Sequence, residues 1–375
     1  MRNIFSKYQI LIVGAGISGV VLAERYASIG KKVLIIEKRD HIGGNCYDYF
    51  GKNGVMVSKY GAHLFHTNYE DVWDYLQKFA KWKKHCHKVL AMVDGKLVPV
   101  PVNITTVNKI FDLSIKDQKE MDNWLKENQV KVKSCKNSED VALSRVGTKL
   151  YKKLFKNYTK KQWDKDPREL DPSVLARIPV RNSFEDRYFS DKYQAQPIGG
   201  FTKIFKKMLS HKNIKVKLNT DFFDKKDQIN LNNFEKVFYT GPVDKYFNYM
   251  DKDNKLEYRS LNFVFEDHPM NFFQENSVIN YPNDFDFTRI VEYKHITGQS
   301  VEGTTISKEY PTYDGEPYYP VLTIKNKKLY AKYKTLSDKE ENVYFIGRLA
   351  EYKYINMDQA FKKSLDLFEK LNKKI

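Results

Sequence analysis

Four apolar residues, Ile10 to Val13, run directly into Gly14-Ala15-Gly16-Ile17-Ser18-Gly19, and a helical stretch follows from Val20 to Ser28. A second apolar run, Val33 to Ile36, ends on Glu37, 18 residues after Gly19. Short β-branched runs bounded by glycine predict strands, so the opening reads strand, turn, helix, strand, carboxylate. Further along, Val89 to Val93 and Leu97 to Pro101 predict two strands about a turn at Asp94-Gly95. From about 104 to 172 the pattern turns helical and charged, with Ile110, Met121, Trp124, Val141, Leu143, Leu150, Leu154 and Phe155 as inward positions. Asp166-Pro167 and Asp171-Pro172 end that region. Pro197-Ile198-Gly199-Gly200-Phe201 opens another helix, followed by strands at Ile214 to Leu218 and Lys236 to Thr240. Alternating aromatic and β-branched residues from about 257 to 323 predict an antiparallel sheet, and the chain closes with a strand at Asn342 to Ile346 and a last helix.

The expected architecture is α/β: a discontinuous Rossmann-like FAD-binding domain with a helical insertion and an antiparallel β-sheet domain. The nucleotide-binding pieces are residues 1–80, 196–245 and 326–375. The helical insertion is 104–172, and the sheet domain is assembled from 81–103, 173–195 and 246–325.

The opening pattern carries chemistry. Gly14 permits the tight turn, Gly16 lets backbone approach a pyrophosphate, and Gly19 lets helix and strand pack closely. The helix N-terminus offers free N–H groups to phosphates, and Glu37 can accept hydrogen bonds from a ribose. A second glycine pair follows in His41-Ile42-Gly43-Gly44-Asn45. Flavoproteins of the glutathione-reductase and amine-oxidase type carry such a pair where NAD dehydrogenases generally lack it, which favours FAD.

Composition narrows the reading less. The 375 residues are 41% hydrophobic and 14% aromatic, as expected of a globular chain. Cys46, Cys86 and Cys135 form no metal pattern and fit a reducing cytoplasm without disulfides. No cleavable leader is expected, and no apolar run approaches the ~20 residues of a membrane span. A net charge of +17 raises nucleic acid as a partner, but the lysines are scattered in pairs and no binding motif accompanies them. No nucleic acid, no membrane insertion and no metal are expected; an anionic small substrate would be drawn in.

The segments KYGAHLFHT (59–67), YTKKQW (158–163), RIPVR (177–181), RYFSD (187–191), TRIVEYKH (288–295), GEPYYP (315–320) and GRLAEYKY (347–354) together resemble the UDP-galactopyranose mutases of the bacterial type, in order and over nearly the whole chain. The resemblance implies an isomerase that interconverts UDP-galactopyranose and UDP-galactofuranose with no net redox change, in galactofuranose biosynthesis. In that family FAD must be reduced, and its N5 displaces UDP to form a flavin–sugar adduct. Relatives of this type are commonly dimers, so a homodimer is the expectation by analogy.

A departing diphosphate needs fixed cations, and arginine binds phosphate bidentately. Arg177 and Arg289 match the family's clamping positions; read alone, either could be a structural or solvated charge. Tyr158 and Phe155 resemble the uracil platform, with Thr159, Gln162 and Trp163 on the same helix face. Without the resemblance that stripe reads as core. Tyr188, Tyr319 and Tyr354 match tyrosines that reach the diphosphate or sugar. His63 and His66 fall in the loop expected beside the isoalloxazine as proton carriers, and His87 is a further pocket candidate. Arg348 resembles a pyrophosphate contact, and Ser18, Lys38, Asn45, His63, Gly347 and Met357 join the cofactor set. The family usually continues past Tyr354 with Asp, Met, His; this chain has Asn356, Met357 and Asp358.

Three other readings compete. A mutase for a related UDP-sugar, such as UDP-N-acetylgalactosamine, would use the same residues. A flavin amine oxidase or desaturase would share only the N-terminal fingerprint, and the charge alone suggests a non-catalytic UDP-sugar or nucleic-acid binder.

Overall fold

The computed structural model describes residues 7–250 and 254–373. The runs Ile10–Val13 and Val33–Ile36 are parallel neighbours, and the sheet they begin is completed from distant stretches. Ile214–Lys217 pairs outside Val33–Ile36, while Lys236–Tyr239 and then Val343–Phe345 extend the other side, all parallel. Both faces of this sheet are covered, which explains the unbroken apolar runs. Ile10, Ile12, Val33 and Ile35 pack under the helix Ile17–Ser28 and the last helix, Met357–Asn372; Leu11, Leu34 and Val237 pack on the other side with Phe222 and Phe234.

A second sheet has seven strands in the order Tyr319–Pro320, Tyr258–His268, Thr304–Thr312, Arg289–Glu292, Val278–Asn280, Val89–Val93 and Lys96–Val100. It is antiparallel except where Val278–Asn280 meets Val89–Val93. A small antiparallel sheet is formed by Phe65–Thr67, Tyr193–Pro197 and Trp82–Lys84.

The region after Val102 is helical, as its polar–apolar pattern predicts. Each of its first three helices opens on a residue whose side chain accepts a backbone N–H, a preference with a direct physical cause. Asn103 caps Ile104–Phe111, Asp117 caps Gln118–Asn128 and Asn137 caps Ser138–Leu150. The third helix turns sharply at Gly147 (φ 74°, ψ 176°), where a Cβ would stand 2.0 Å from the Asn128 carbonyl oxygen. It continues as a π-helical turn, Tyr151–Lys156, and then as the α-helix Asn157–Trp163. Met121, Val141, Leu150, Leu154 and Phe155 are buried in the shared core, whereas Ile110, Trp124 and Leu143 are partly buried at its rim. No helix among the described residues is long and apolar enough to cross a membrane.

Candidate active site

Two cavities hold most of the residues singled out from the sequence, with Ser18, Gly19, Gly43, Gly44 and Gly347 in the backbone beside the first. The first is at the C-terminal ends of the parallel strands, where Gly14, Gly16, Glu37, Lys38 and Asn45 line it. Glu37 is buried, and its carboxylate accepts N–H bonds from Ala15 (2.8 Å) and Arg39 (2.9 Å), which fixes it at the strand end. A Cβ on Gly19 would fall 2.0 Å from the Gly14 carbonyl oxygen, so helix and turn could not approach as they do. A Cβ on Gly44 would sit 2.9 Å from the Gly16 Cα, so the two glycine turns lie against each other. Gly43 donates to the Ala15 carbonyl, and Gly347 backs onto the Ser18 side chain. Lys38 is drawn outward to Glu316. This backbone cradle, with a carboxylate at its far end, fits a dinucleotide on the present residues.

The second cavity gathers His63, His66, His87, Phe155, Tyr158, Thr159, Gln162, Trp163, Arg177, Tyr188, Arg289, Tyr319, Arg348, Tyr354, Asn356 and Met357 from eight separate stretches of chain. At its centre Tyr319 and Tyr354 stack with centroids 5.7 Å apart, inclined by 12°. The Arg177 guanidinium lies 4.3 Å from the Tyr354 ring centre, and Arg348 lies 5.2 Å from both rings. Burial pushes the Tyr354 phenol up, but Arg177, Arg348 and Arg289 outweigh it and hold that phenol below its ordinary value. For Tyr158 burial dominates, and its phenol is pushed up to about 12.

The three arginines differ in what neutralises them. Arg289 Nε donates to Glu309 Oε2 at 2.6 Å, and Glu309 is fully buried with its other oxygen unpartnered. Arg177 donates Nε–H to the Val174 carbonyl (3.2 Å), and Arg348 donates to the carbonyls of Ile355 (2.8 Å) and Tyr318 (3.5 Å). Among the described residues no carboxylate pairs with either. Three guanidiniums therefore line one cavity while a single carboxylate pairs with one of them, a surplus of fixed positive charge that suits an anion.

The histidines are held differently. His63 donates Nδ1–H to the Gly61 carbonyl at 2.8 Å, leaving Nε2 as an acceptor. Burial, then the Arg348 and Arg289 charges, lower its pKa to about 4, so the ring is neutral at pH 7. His66 is not in the loop expected for it: it lies on the strand Phe65–Thr67, because that segment pairs with Tyr193–Pro197. Its Nδ1 sits 3.0 Å from Asp191 Oδ2, and its ring stacks on Phe189 at 3.6 Å. His87 is 4% exposed, 3.5 Å from the Ser277 hydroxyl, and burial pushes it well below its usual value.

Phe155 belongs to the π turn and Tyr158, Thr159 and Gln162 to the α-helix after it, so the face shared by the four is not one of simple α spacing. Asn356 is the N-cap of the last helix, and its N–H donates to Gln359 Oε1 at 2.9 Å. Asp358 is buried near His66, and burial raises its pKa against the opposing pull of that ring.

Glu309 and Asp191 went unassigned from the sequence. Glu309 stands opposite Arg289 in the strand register, at a buried position of Thr304–Thr312. A carboxylate in phase with Thr305 and Ser307 on the inward side of that strand was the available signal. Among the described residues no three His, Cys, Asp or Glu side chains are placed to hold a metal ion.

Residues 153–354 match the family described as UDP-galactopyranose mutase, and residues 12–79 match the NAD(P)-binding Rossmann-like domain. A probable UDP-galactopyranose mutase of Klebsiella pneumoniae is 36% identical over 95% of this chain and 92% of its own. A dTDP-fucopyranose mutase of Escherichia coli is 34% identical over 97% of this chain and 99% of its own. A crystal structure of reduced UDP-galactopyranose mutase superposes with a TM-score of 0.75, covering 97% of this chain and 93% of that one, at 16% identity. That last likeness speaks for the fold.

Proposed function

The chain belongs to the UDP-galactopyranose mutase family, and from that premise we propose that it is an FAD-dependent isomerase converting UDP-galactopyranose to UDP-galactofuranose and back. The observation that carries the reading is the Arg177, Arg289 and Arg348 guanidiniums lining one cavity with Glu309 as their single carboxylate partner among the described residues. Such a surplus of fixed positive charge suits a leaving diphosphate better than a neutral amine or a polyene.

FAD fits the glycine cradle and Glu37, with Arg348 and the 59–64 loop at the flavin end. When bound and reduced, the flavin would supply the nucleophile that displaces UDP from the anomeric carbon. The protein's own work is binding and charge. Arg177 and Arg289 would clamp the diphosphate, stabilising the negative charge that grows as the glycosidic bond breaks. Tyr158 and Phe155 would hold the uracil between aromatic faces. His63, neutral with Nε2 as an acceptor, can take a hydrogen bond from flavin or sugar, and His66, fixed by Asp191, can carry a proton at the same wall. On this reading 1–80, 196–245 and 326–375 hold the cofactor and the remainder presents the sugar nucleotide. Unpaired cysteines and a sugar-nucleotide substrate favour a cytoplasmic enzyme.

A second reading keeps the reaction and changes the sugar, since one full-length relative is a dTDP-fucopyranose mutase. Incubating the reduced protein with UDP-galactopyranose, UDP-N-acetylgalactosamine and dTDP-fucopyranose, and resolving products by chromatography, separates the two. Furanose product from UDP-galactopyranose at the highest kcat/KM supports the proposal; preference for another nucleotide sugar overturns its substrate, and no product from any overturns the reaction.

A further inference from the structure

Strands Val278–Asn280 and Arg289–Glu292 form a hairpin whose connecting turn, 281–287, closes one wall of the second cavity through Asn280, Pro282 and Arg289. The carbonyls of that turn converge on one cation. Lys161 Nζ donates to the carbonyl oxygens of Tyr281, Asp284 (3.1 Å), Phe285 (3.2 Å) and Phe287 (3.2 Å). An ammonium has three N–H donors and no acceptor, so a shell of carbonyls satisfies it as few other groups could. Burial pushes this amine down, while Asp284 and Asp286 oppose the shift.

The turn is shaped around that cation at some cost. Phe285 adopts φ +59°, a left-handed conformation that a bulky side chain rarely takes, and the residue is 63% exposed. The same ring stacks on Phe287 at 4.9 Å, with Tyr281 edge-on to both. The helix end bearing Lys161 is itself fixed. Arg259 donates to the carbonyls of Gln162 (3.1 Å) and Lys161 (3.4 Å), and Asn157 bonds Asn283 across the gap. Lys161 thus ties the helix carrying Tyr158 and Gln162 to the hairpin carrying Arg289.

We propose that Lys161 is a positioning residue whose ammonium, held by the 281–287 carbonyls, sets the distance between the uracil platform and the Arg289 clamp. The proposal rests on the reading of Arg289 as a phosphate clamp. Lys161→Ala would leave a carbonyl-lined space of ammonium size two residues ahead of Arg289, and a small cation added from solution can refill it. Lys161→Arg would keep the charge, but a planar fork cannot converge on four carbonyls.

The test uses the flavin-loaded protein, with UDP as the probe and flavin retention as the check on folding. In Lys161→Ala, UDP should bind about tenfold more weakly, as expected when charged hydrogen bonds that order a binding wall are lost. Hydrogen exchange should quicken at amides 281–289. Ammonium chloride should reverse both effects, and tetramethylammonium chloride at equal ionic strength should reverse neither. Lys161→Arg should bind UDP weakly in either salt, and it carries the test should the alanine variant fail to hold flavin. Unchanged UDP affinity and exchange in both variants, or losses that ammonium leaves untouched in Lys161→Ala, would overturn the proposal. If the parent protein itself fails to bind UDP, the clamp reading falls instead, and the exchange experiment still judges Lys161.

Discussion

Replacing Arg289 should have two separable consequences, because on the proposed reading its guanidinium serves two anions. One is Glu309, whose side chain is fully buried and whose Oε1 already lacks a partner. Arg289→Ala leaves that carboxylate uncompensated, and breaking a buried pair on one side costs about 3–5 kcal/mol. The Arg289 side chain is 29% exposed, so water relieves part of this, and about 3 kcal/mol is expected. For a chain of this length that corresponds to a melting temperature lower by about 4 °C. The other anion is the diphosphate, and losing one charged partner there costs about 2–5 kcal/mol, a UDP affinity at least about thirtyfold weaker. Glu309→Gln removes the orphan. The double variant Arg289→Ala/Glu309→Gln should therefore recover most of the stability and none of the UDP affinity. Glu309→Gln alone should bind UDP somewhat more tightly, its arginine no longer shared. Thermal unfolding and UDP titration followed by flavin absorbance read the two effects independently. A double variant that binds UDP like the parent would refute the clamp, and a single variant of unchanged stability would refute the pairing.

Three further expectations are narrower. Tyr158→Ala should weaken UDP about tenfold through lost stacking, at little change in flavin content; unchanged affinity in the same titration would return that helix face to a purely structural role. Asn356→Asp should keep the fold, since Asn and Asp cap helices about equally, and should loosen UDP by about 1 kcal/mol through repulsion of the phosphates; tighter binding would contradict this. His63 has a folded pKa near 4 against about 6.5 unfolded, so the unfolded chain takes up the proton first. Its contribution is complete above about pH 6.5 and declines as pH falls toward 4, and His63→Gln should flatten the stability–pH slope in that window when measured by denaturant unfolding.

The parts of the protein legible from sequence are those written in local chemistry. Ile10–Val13, the glycine turn and Val33–Ile36 reproduce their predicted bounds because burial on both faces and a carboxylate at the second strand's end leave a plain signature. The discontinuous sheet followed from strands that reappear at 214, 236 and 343. Less legible were features that depend on which strands meet. Glu309 matters because its strand lies beside Arg289, and Asp191 because Tyr193–Pro197 brings it to His66. The π turn at Tyr151–Lys156 left no mark in the polar–apolar pattern, since one added residue per turn alters the phase of a single short segment. Lys161 sat inside a quoted motif, yet its four carbonyl partners come from a turn 120 residues away.

In the proposed reaction the cofactor acts as a reduced nucleophile with no net redox change. Turnover of UDP-galactopyranose by the flavin-loaded protein, oxidised and then reduced with dithionite, tests it directly. Furanose product should appear only with the reduced enzyme, over many turnovers, with the flavin still reduced at the end. Equal turnover in both states, or flavin reoxidation in proportion to substrate consumed without oxygen, would contradict it.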